Sequence, residues 1–358
     1  MERLFEELAV RARKVRKFLR THPWLARLSH PHLREAVESY IKAGGKCLRP
    51  AVVLFSCGAV GGEEERALPV AAGVEVFHTF TLVHDDIMDR DELRRGAPTV
   101  HVAFSRRAVE EFGFVGEEAE HYGISMGILA GDAQHGWGIS LMAESARRGV
   151  SPDVVLRLVE DITGRVLSAL VEGQVLDIQY ARRPVDALSQ EEITDMLWKK
   201  TGALYAFAAR AGAMVGLDIA DEGHPYVQAL SEFASRCGVA FQLMDDVLGI
   251  TGDERQLGKP VGSDIREGKK TLIVYFALRK ADSARRRWAL SILGREDAGE
   301  GEVRELGKWF VESGAVDEVK ALARRYVAEG SEALWVLPSS PYREQLEGLA
   351  GYILGRER

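Results

Sequence analysis

"ALPVAAGVEVFHTFTLVHDDIMD", residues 67–89, is an apolar stretch that ends in three aspartates. Its apolar residues recur at helical spacing, without the alternation expected of a strand. The pattern predicts a long, mostly buried helix that starts near Leu68 and ends at the acidic cluster. On such a helix Asp85 and Asp89 lie one turn apart, so their carboxylates share a face.

Helical spacing continues along most of the chain. Apolar residues recur in this way in segments 151–181, 189–216 and 224–250, while strand-like alternation is scarce. Ser189, followed three residues later by Glu192, is a capping signal at the start of the second segment. These patterns predict an all-α protein, folded as a single domain of long, mostly buried helices.

The bulk composition narrows the class of function. The chain has 358 residues, of which 46% are hydrophobic, and a formal net charge of −7. This acidic balance argues against a general nucleic-acid partner, and no stretch is expected to span a bilayer. The three scattered cysteines, Cys47, Cys57 and Cys237, lack zinc-type spacing and indicate a reduced, cytoplasmic protein.

A second acidic pair, Asp245 and Asp246, follows the apolar segment 226–244 and is predicted to end that helix. The chain contains no other Asp-Asp pair besides this one and Asp85–Asp86. Carboxylates at a helix C-terminus meet the negative end of the macrodipole, which a bound cation relieves. Either cluster alone is compatible with a solvated helix end. Two of them favour Mg²⁺, which takes one or two carboxylates and completes its shell with water and phosphate.

Basic residues near both clusters suit phosphate oxygens. They are Lys46 and Arg49 in "GGKCLRP" (44–50), Arg94 and Arg95 after the first cluster, Lys199 and Lys200 beside Thr201 in an apolar helix, and Lys259, Lys269 and Lys270 after the second cluster. We expect Lys46 and Arg49 to lie one helical turn apart, behind glycines that let the backbone approach a ligand. The planar fork of arginine matches phosphate. Each feature alone also has a plain structural explanation: a turn, a salt bridge, a snorkelling lysine or an exposed loop.

Taken together, these motifs resemble the trans-isoprenyl diphosphate synthases, the polyprenyl synthetase family. The motifs, in the family's order, are "GGKCLRP", "EVFH" (75–78), "DDIMD" followed by "RRGAPTVH", "AGD" (130–132), "EGQ" (172–174), "KKT" (199–201), "FQLMDDVLGITGD" (241–253) and "GKPVGSDIREGKKT" (258–271). The resemblance covers nearly the whole chain and is closest to archaeal-type short-chain geranylgeranyl diphosphate synthases. It implies the isoprenoid synthase fold, with one domain over residues 1–358, antiparallel helices around a central cavity, and a homodimer.

The resemblance also implies a reaction, the condensation of isopentenyl diphosphate with an allylic diphosphate (dimethylallyl, geranyl or farnesyl), assisted by Mg²⁺. The metal ligands would be Asp85, Asp89 and Asp245. The catalytic set would be Asp85, Asp86, Asp89, Arg94, Lys200, Asp245 and Asp246. The allylic diphosphate would be bound by Arg94, Lys200, Thr201, Gln242, Lys259 and Lys269. Isopentenyl diphosphate would be bound by Lys46, Arg49, His78 and Arg95.

Three positions on the helix that ends at the first acidic cluster would set the length of the product. Phe80 lies five residues before Asp85, roughly 7.5 Å along the helix axis. In archaeal-type relatives an aromatic residue there stops chain growth at the geranylgeranyl length, so geranylgeranyl diphosphate is the expected product. Phe77 lies nearly a turn deeper and Thr81 is small. The alternatives within the family are a C25 or longer product, or farnesyl diphosphate.

Rival functions and departures from the family pattern complete the prediction. A class I terpene cyclase shares the fold and the acidic motif but does not need "GGKCLRP", His78 or Arg95. A non-catalytic prenyltransferase subunit typically lacks aspartates of one motif, and both pairs are intact here. Gly249 stands where many members have a third aspartate, and the segment 102–130 is longer than the family norm.

Overall fold

A computed structural model of the chain describes residues 2–252 and 262–355. The described part is all-α, as predicted, apart from one antiparallel hairpin of two-residue strands, β1 (Leu93–Arg94) and β2 (Ala97–Pro98). Its α-helices are α1 (Glu2–Arg20), α2 (Pro31–Ala43), α3 (Leu48–Ala59), α4 (Glu64–Met88), α5 (Val100–Phe112), α6 (Glu117–Glu144), α7 (Pro152–Asp161), α8 (Leu167–Arg182), α9 (Gln190–Leu197), α10 (Ala203–Leu217), α11 (Pro225–Thr251), α12 (Ser263–Glu267), α13 (Leu272–Lys280), α14 (Ser283–Ile292), α15 (Glu300–Glu312), α16 (Ala315–Ala333) and α17 (Pro341–Leu354).

Shorter helical turns link several of these helices. The 3₁₀ turns are Pro23–Arg27, Ser145–Arg148, Val185–Ala187 and Leu334–Val336, and the π-helical turns are Ile162–Val166 and Trp198–Gly202. A π turn within a helix frequently marks a functional site. The second π turn carries the "KKT" motif.

The chain divides into two compact units by its internal contacts. The first unit comprises Met1–Ile162 and Ala208–Glu222, and the second comprises Thr163–Phe207 and Gly223–Arg358. The first acidic cluster and "GGKCLRP" belong to the first unit, and the second acidic cluster and "KKT" belong to the second. The single domain over 1–358 remains a prediction.

Helix α4 of the first unit begins at Glu64, one turn before the predicted start. Glu64 and Glu65 extend it because acidic residues are favourable at the positive end of a helix. The helix packs closely on α6, where a Cβ added to Gly73 would lie 2.7 Å from the carbonyl oxygen of Gly138. The two backbones are therefore in contact, and this contact fixes the direction in which α4 presents its acidic end.

Helix α4 also corrects one expectation about membranes. Within the described ranges it is the one helix that is long and apolar enough to cross a bilayer, whereas the sequence was expected to contain none. Most of its apolar window, 72%, is buried inside the protein. Its composition therefore reflects a position in the core.

The long segment 102–130 forms most of α5 and the first half of α6, which pack against each other. Buried His32 of α2 joins them, with Nδ1 at 2.7 Å from the Tyr122 hydroxyl and Nε2 at 2.9 Å from a Glu111 carboxylate oxygen. The segment thus belongs to two helices of the first unit that His32 ties to α2.

In the second unit, helix α11 packs mainly against α16. The predicted capping signal is confirmed at α9: the Ser189 hydroxyl accepts a bond from Glu192 N, and the Glu192 carboxylate accepts one from Ser189 N. The predicted end of α11 is wrong. The helix continues past Asp246 to Thr251 because Val247 and Leu248 are buried and prolong the apolar face.

Candidate active site

The first acidic cluster lies at the C-terminal end of α4. The amide of Asp89, the C-cap residue, donates to the carbonyl of Asp85 at 2.8 Å, so the two are one helical turn apart, as predicted. Both residues are partly exposed. Their carboxylates stand at the negative end of the helix macrodipole, which favours a cation there.

Asp86 is placed differently from its two neighbours. Its carboxylate is buried and accepts bonds from Arg94, Nε at 2.9 Å and also Nη2, and from the Tyr40 hydroxyl. Burial raises the pKa of Asp86, while the bonds from Arg94 and Tyr40 oppose that shift. Asp86, which the sequence groups with the catalytic aspartates, anchors the hairpin that carries Arg94, and its catalytic role stays a prediction.

The basic residues of the first unit gather around the turn before α3. The Arg49 guanidinium lies 3.0 Å from His78 Nε2, and the Arg95 guanidinium is less than 3.0 Å from the position that a Gly45 Cβ would take. Arg16 of α1, which the sequence analysis did not single out, donates to the Gly45 carbonyl. Lys46 is exposed and lies in the turn, outside the helix. The predicted one-turn spacing of Lys46 and Arg49 on a helix is therefore wrong, because α3 begins only at Leu48.

His78 is held in a defined protonation state. Burial, followed by the charges of the nearby arginines, lowers the pKa of His78 well below its ordinary value. Arginine can only donate, so Nε2 of the neutral ring accepts from Arg49 and the ring proton resides on Nδ1. His78 is thus a neutral hydrogen-bond donor within a cationic pocket.

The second acidic cluster also combines partly exposed and buried aspartates. Asp245 is partly exposed, whereas Asp246 is buried. The Thr201 hydroxyl donates to Gln242 Oε1 at 3.0 Å, and Gln242 Nε2 donates to Asp246 Oδ1 at 3.1 Å. This chain fixes the orientation of the Gln242 amide and places Thr201 and Gln242 together, as the predicted allylic site requires.

Asp246 is electrostatically strained. Burial, with the charge of Asp264 next in weight, raises the pKa of Asp246 well above its ordinary value. Its Oδ2 is buried and has no hydrogen-bond partner among the residues that the structure describes. A Cβ at Gly249 would lie 3.2 Å from Asp264 Oδ2, so an aspartate at position 249 would crowd that carboxylate.

Lys200 lies on the π turn Trp198–Gly202. Its Nζ donates to Asp177 of α8 at 2.6 Å, and Asp177 was missed by the sequence analysis. A Cβ at Gly173, in "EGQ", would lie 2.5 Å from the Lys200 amide nitrogen. Only glycine allows α8 and the π turn to approach so closely. Lys199 pairs instead with Asp195 at 2.8 Å.

The two described lysines after the second cluster have different partners: Lys269 lies beside carboxylates, and Lys270 binds backbone carbonyls. Lys269 Nζ lies 2.8 Å from a Glu267 carboxylate oxygen and 3.7 Å from Asp264. Lys270 donates to the carbonyls of Ala181 and Gly268, so it holds the backbone. Lys259, predicted to bind the allylic diphosphate, lies outside the described residues.

The predicted chain-length residues belong to an aromatic cluster between α4 and α6. Phe77 and Phe80 are buried, with ring centroids 4.7 Å apart and a T-shaped arrangement. His135 of α6, not identified from the sequence, lies 5.1 Å from the Phe80 ring. Thr81 is partly exposed and donates its hydroxyl proton to the His78 carbonyl at 2.8 Å.

The donor set fits a hard divalent cation that the substrate helps to bind. Within residues 2–252 and 262–355 no group of three or more His, Cys, Asp or Glu side chains forms a ready-made metal site. Mg²⁺ does not require one, since it usually takes one or two carboxylates and leaves the other positions to water and phosphate. The partly exposed pair Asp85 and Asp89, and separately Asp245, provide such carboxylates.

Comparison with known proteins gives consistent relatives over most of the chain. The sequence profile described as polyprenyl synthetase matches residues 30–309. A geranylgeranyl diphosphate synthase of Sulfolobus acidocaldarius is 37% identical over 304 residues, 85% of this chain and 84% of that one.

Solved structures agree with the sequence relatives. The geranylgeranyl pyrophosphate synthetase of Pyrococcus horikoshii superposes with a TM-score of 0.83 and 36% identity, covering 99% of this chain and 98% of that one. The geranylgeranyl pyrophosphate synthase of Corynebacterium glutamicum, complexed with isoprenyl diphosphate and magnesium, gives a TM-score of 0.84 and 29% identity, covering 99% of both chains. The all-α fold is shared with these synthases.

Proposed function

The chain belongs to the polyprenyl synthetase family, and from that premise we propose that it condenses isopentenyl diphosphate with an allylic diphosphate. The observation that carries this proposal is the pairing of an acidic helix end with a cationic pocket on the same unit. Helix α4 presents Asp85 and Asp89, while Arg49, His78 and Arg95 converge beside it. A chain that only ionised an allylic diphosphate would not need the second anion site.

The reaction separates charge before it forms a bond. The allylic C–O bond breaks with both electrons leaving on the diphosphate. The double bond of isopentenyl diphosphate then attacks the allylic cation, and the adduct passes a proton to the departed diphosphate, which restores an alkene. Mg²⁺ held by Asp85, Asp89 and Asp245 would neutralise the departing diphosphate. Magnesium is present in the Corynebacterium glutamicum complex, which supports this assignment.

The chain's own residues orient the two diphosphates. We assign the allylic diphosphate to Arg94, Lys200, Thr201, Gln242, Lys259 and Lys269. We assign isopentenyl diphosphate to Lys46, Arg49, His78 and Arg95. Neutral His78 adds a hydrogen bond without another charge, and holding both substrates in reactive contact supplies much of the acceleration.

Geranylgeranyl diphosphate is the proposed principal product. The support is the aromatic cluster of Phe77, Phe80 and His135, whose rings pack between α4 and α6. The geranylgeranyl synthase names of the relatives point the same way. We further propose a homodimer in the cytoplasm.

The test is an incubation of the purified protein with Mg²⁺, isopentenyl diphosphate and each of dimethylallyl, geranyl and farnesyl diphosphate. Chromatography of the products is expected to show geranylgeranyl diphosphate as the main species. Consumption of an allylic diphosphate without consumption of isopentenyl diphosphate would refute the proposal and indicate a cyclase. Reactions without Mg²⁺, or with added chelator, are expected to be inactive.

A further inference from the structure

One acidic residue lies among the cations of the first unit without an assigned role. Glu75 of α4 stands three residues before His78, so the two side chains share a face of the helix. Burial raises the pKa of Glu75, and the charges of Arg95, Arg49 and Arg16 oppose that shift.

Glu75 also contacts a strained turn. Cys47 adopts a left-handed backbone with φ of 48°, which is unfavourable for a residue with a Cβ, and no side chain caps the helix that follows it. Its thiol lies 3.5 Å from Glu75 Oε1, and the residue is buried. Burial raises the pKa of Cys47 to about 12, so the thiol remains a proton donor to the carboxylate. Glu75 therefore connects α4 to the turn that presents Lys46.

The cations need such a partner when no diphosphate is bound. Arg16 and Arg95 both approach Gly45, and Arg49 lies against His78, so like charges crowd a small volume. A single carboxylate within the group reduces their mutual repulsion, and like charges at such short range otherwise drive side chains apart. The neutral state of His78 limits the positive charge further.

Resting on the proposed function, we propose that Glu75 is a positioning residue of the isopentenyl diphosphate pocket. Its carboxylate holds the Gly44–Cys47 turn and the surrounding guanidinium groups in the arrangement that receives a diphosphate. Glu75 does not itself touch the substrate. Removal of this carboxylate should weaken the binding of isopentenyl diphosphate and leave the binding of the allylic diphosphate unchanged.

The test compares Glu75→Gln, which keeps the shape and removes the charge, with Glu75→Asp, which keeps the charge. Glu110→Gln on the exposed face of α5 is the matched control for the loss of one negative charge. For Glu75→Gln the KM for isopentenyl diphosphate is expected to rise about tenfold, the scale of one charge-assisted hydrogen bond, with an unchanged KM for the allylic diphosphate. Glu75→Asp should fall between the wild type and Glu75→Gln.

Several results would overturn the proposal. An unchanged or lower KM for isopentenyl diphosphate would show that the carboxylate repels the ligand and that the arginines hold their places without it. An equal rise in both KM values would indicate a general structural role. A higher KM for isopentenyl diphosphate in Glu75→Asp than in Glu75→Gln would show that the negative charge of residue 75 is not what matters. If Glu75→Gln does not fold, Glu75→Asp decides alone: a rise confined to the KM for isopentenyl diphosphate supports the proposal, and an equal rise in both KM values refutes it.

A calorimetric titration separates this proposal from the proposed function. Wild type and Glu75→Gln are titrated with isopentenyl diphosphate without Mg²⁺ or an allylic substrate. Weaker binding by the variant supports the positioning role, even if the wild type transfers no prenyl group. Equal binding by the two proteins overturns that role, even if prenyl transfer is confirmed.

Discussion

The most direct prediction concerns Asp86, whose buried carboxylate supports the hairpin. The substitution Asp86→Asn keeps the size of the side chain and removes its charge. The wild-type carboxylate is 1% exposed and accepts three bonds, two from Arg94 and one from the Tyr40 hydroxyl. All three bonds become weaker in the variant, because a neutral amide replaces an ionised acceptor.

The magnitude follows from these bonds. A hydrogen bond to a charged group contributes about 1.5–3 kcal/mol to stability and a neutral one about 0.5–1.5 kcal/mol. The difference is about 1 kcal/mol for each bond, so Asp86→Asn is expected to lower the free energy of unfolding by about 3 kcal/mol. Tyr40→Phe removes one of the three bonds outright and should therefore cost about 1.5–3 kcal/mol.

Urea unfolding monitored by circular dichroism at pH 7 measures this loss. Glu92→Gln is the matched control, because Glu92 is an exposed acid in the same loop, and its cost should stay below about 0.5 kcal/mol. A loss of less than about 1 kcal/mol for Asp86→Asn would refute the reasoning, since the hairpin would then be held by other contacts.

Three further predictions concern product length, the π turn and pH. Phe80→Ala should give products longer than geranylgeranyl diphosphate by chromatography, because it removes a ring between α4 and α6; unchanged products would exclude Phe80 as the floor. Gly173→Ala should lower kcat/KM about tenfold or more by displacing Lys200, whereas Gly136→Ala, which points into open space, should keep the wild-type rate in the same assay. Because the pKa of His78 in the folded protein lies well below 6.5, the imidazole of the unfolded chain is protonated at a higher pH than that of the folded protein. The wild-type free energy of unfolding, measured in urea, should therefore fall as the pH drops below 6.5, and less so in His78→Gln; identical pH profiles would contradict this.

Local periodicity was enough to predict the helices and the spacing of the acids within them. The apolar recurrence in 67–89 predicts α4, and the one-turn separation of Asp85 and Asp89 follows from helix geometry alone. The end of α11 could also have been found, because apolar Val247 and Leu248 continue the pattern beyond Asp246.

Tertiary partners could not be predicted in this way. The direction of the Asp86 side chain depends on Tyr40, 46 residues earlier in the chain, and Lys200 finds its partner Asp177 on a different helix. Helical spacing says which residues share a face but not which helix that face meets. The motif "EVFH" contains Glu75 but does not predict its role, because that role depends on arginines from three separate segments.

The hairpin between α4 and α5 has a consequence for substrate preference. Arg94 and Arg95 are consecutive, yet Arg94 reaches back to Asp86, while Arg95, with a φ of 56°, lies beside Gly45. Under the proposed roles, this one hairpin positions an arginine for each substrate: Arg94 for the allylic diphosphate and Arg95 for isopentenyl diphosphate. Any substitution that loosens it should change both Michaelis constants in step, so the selection of one substrate independently of the other has to arise elsewhere in the chain.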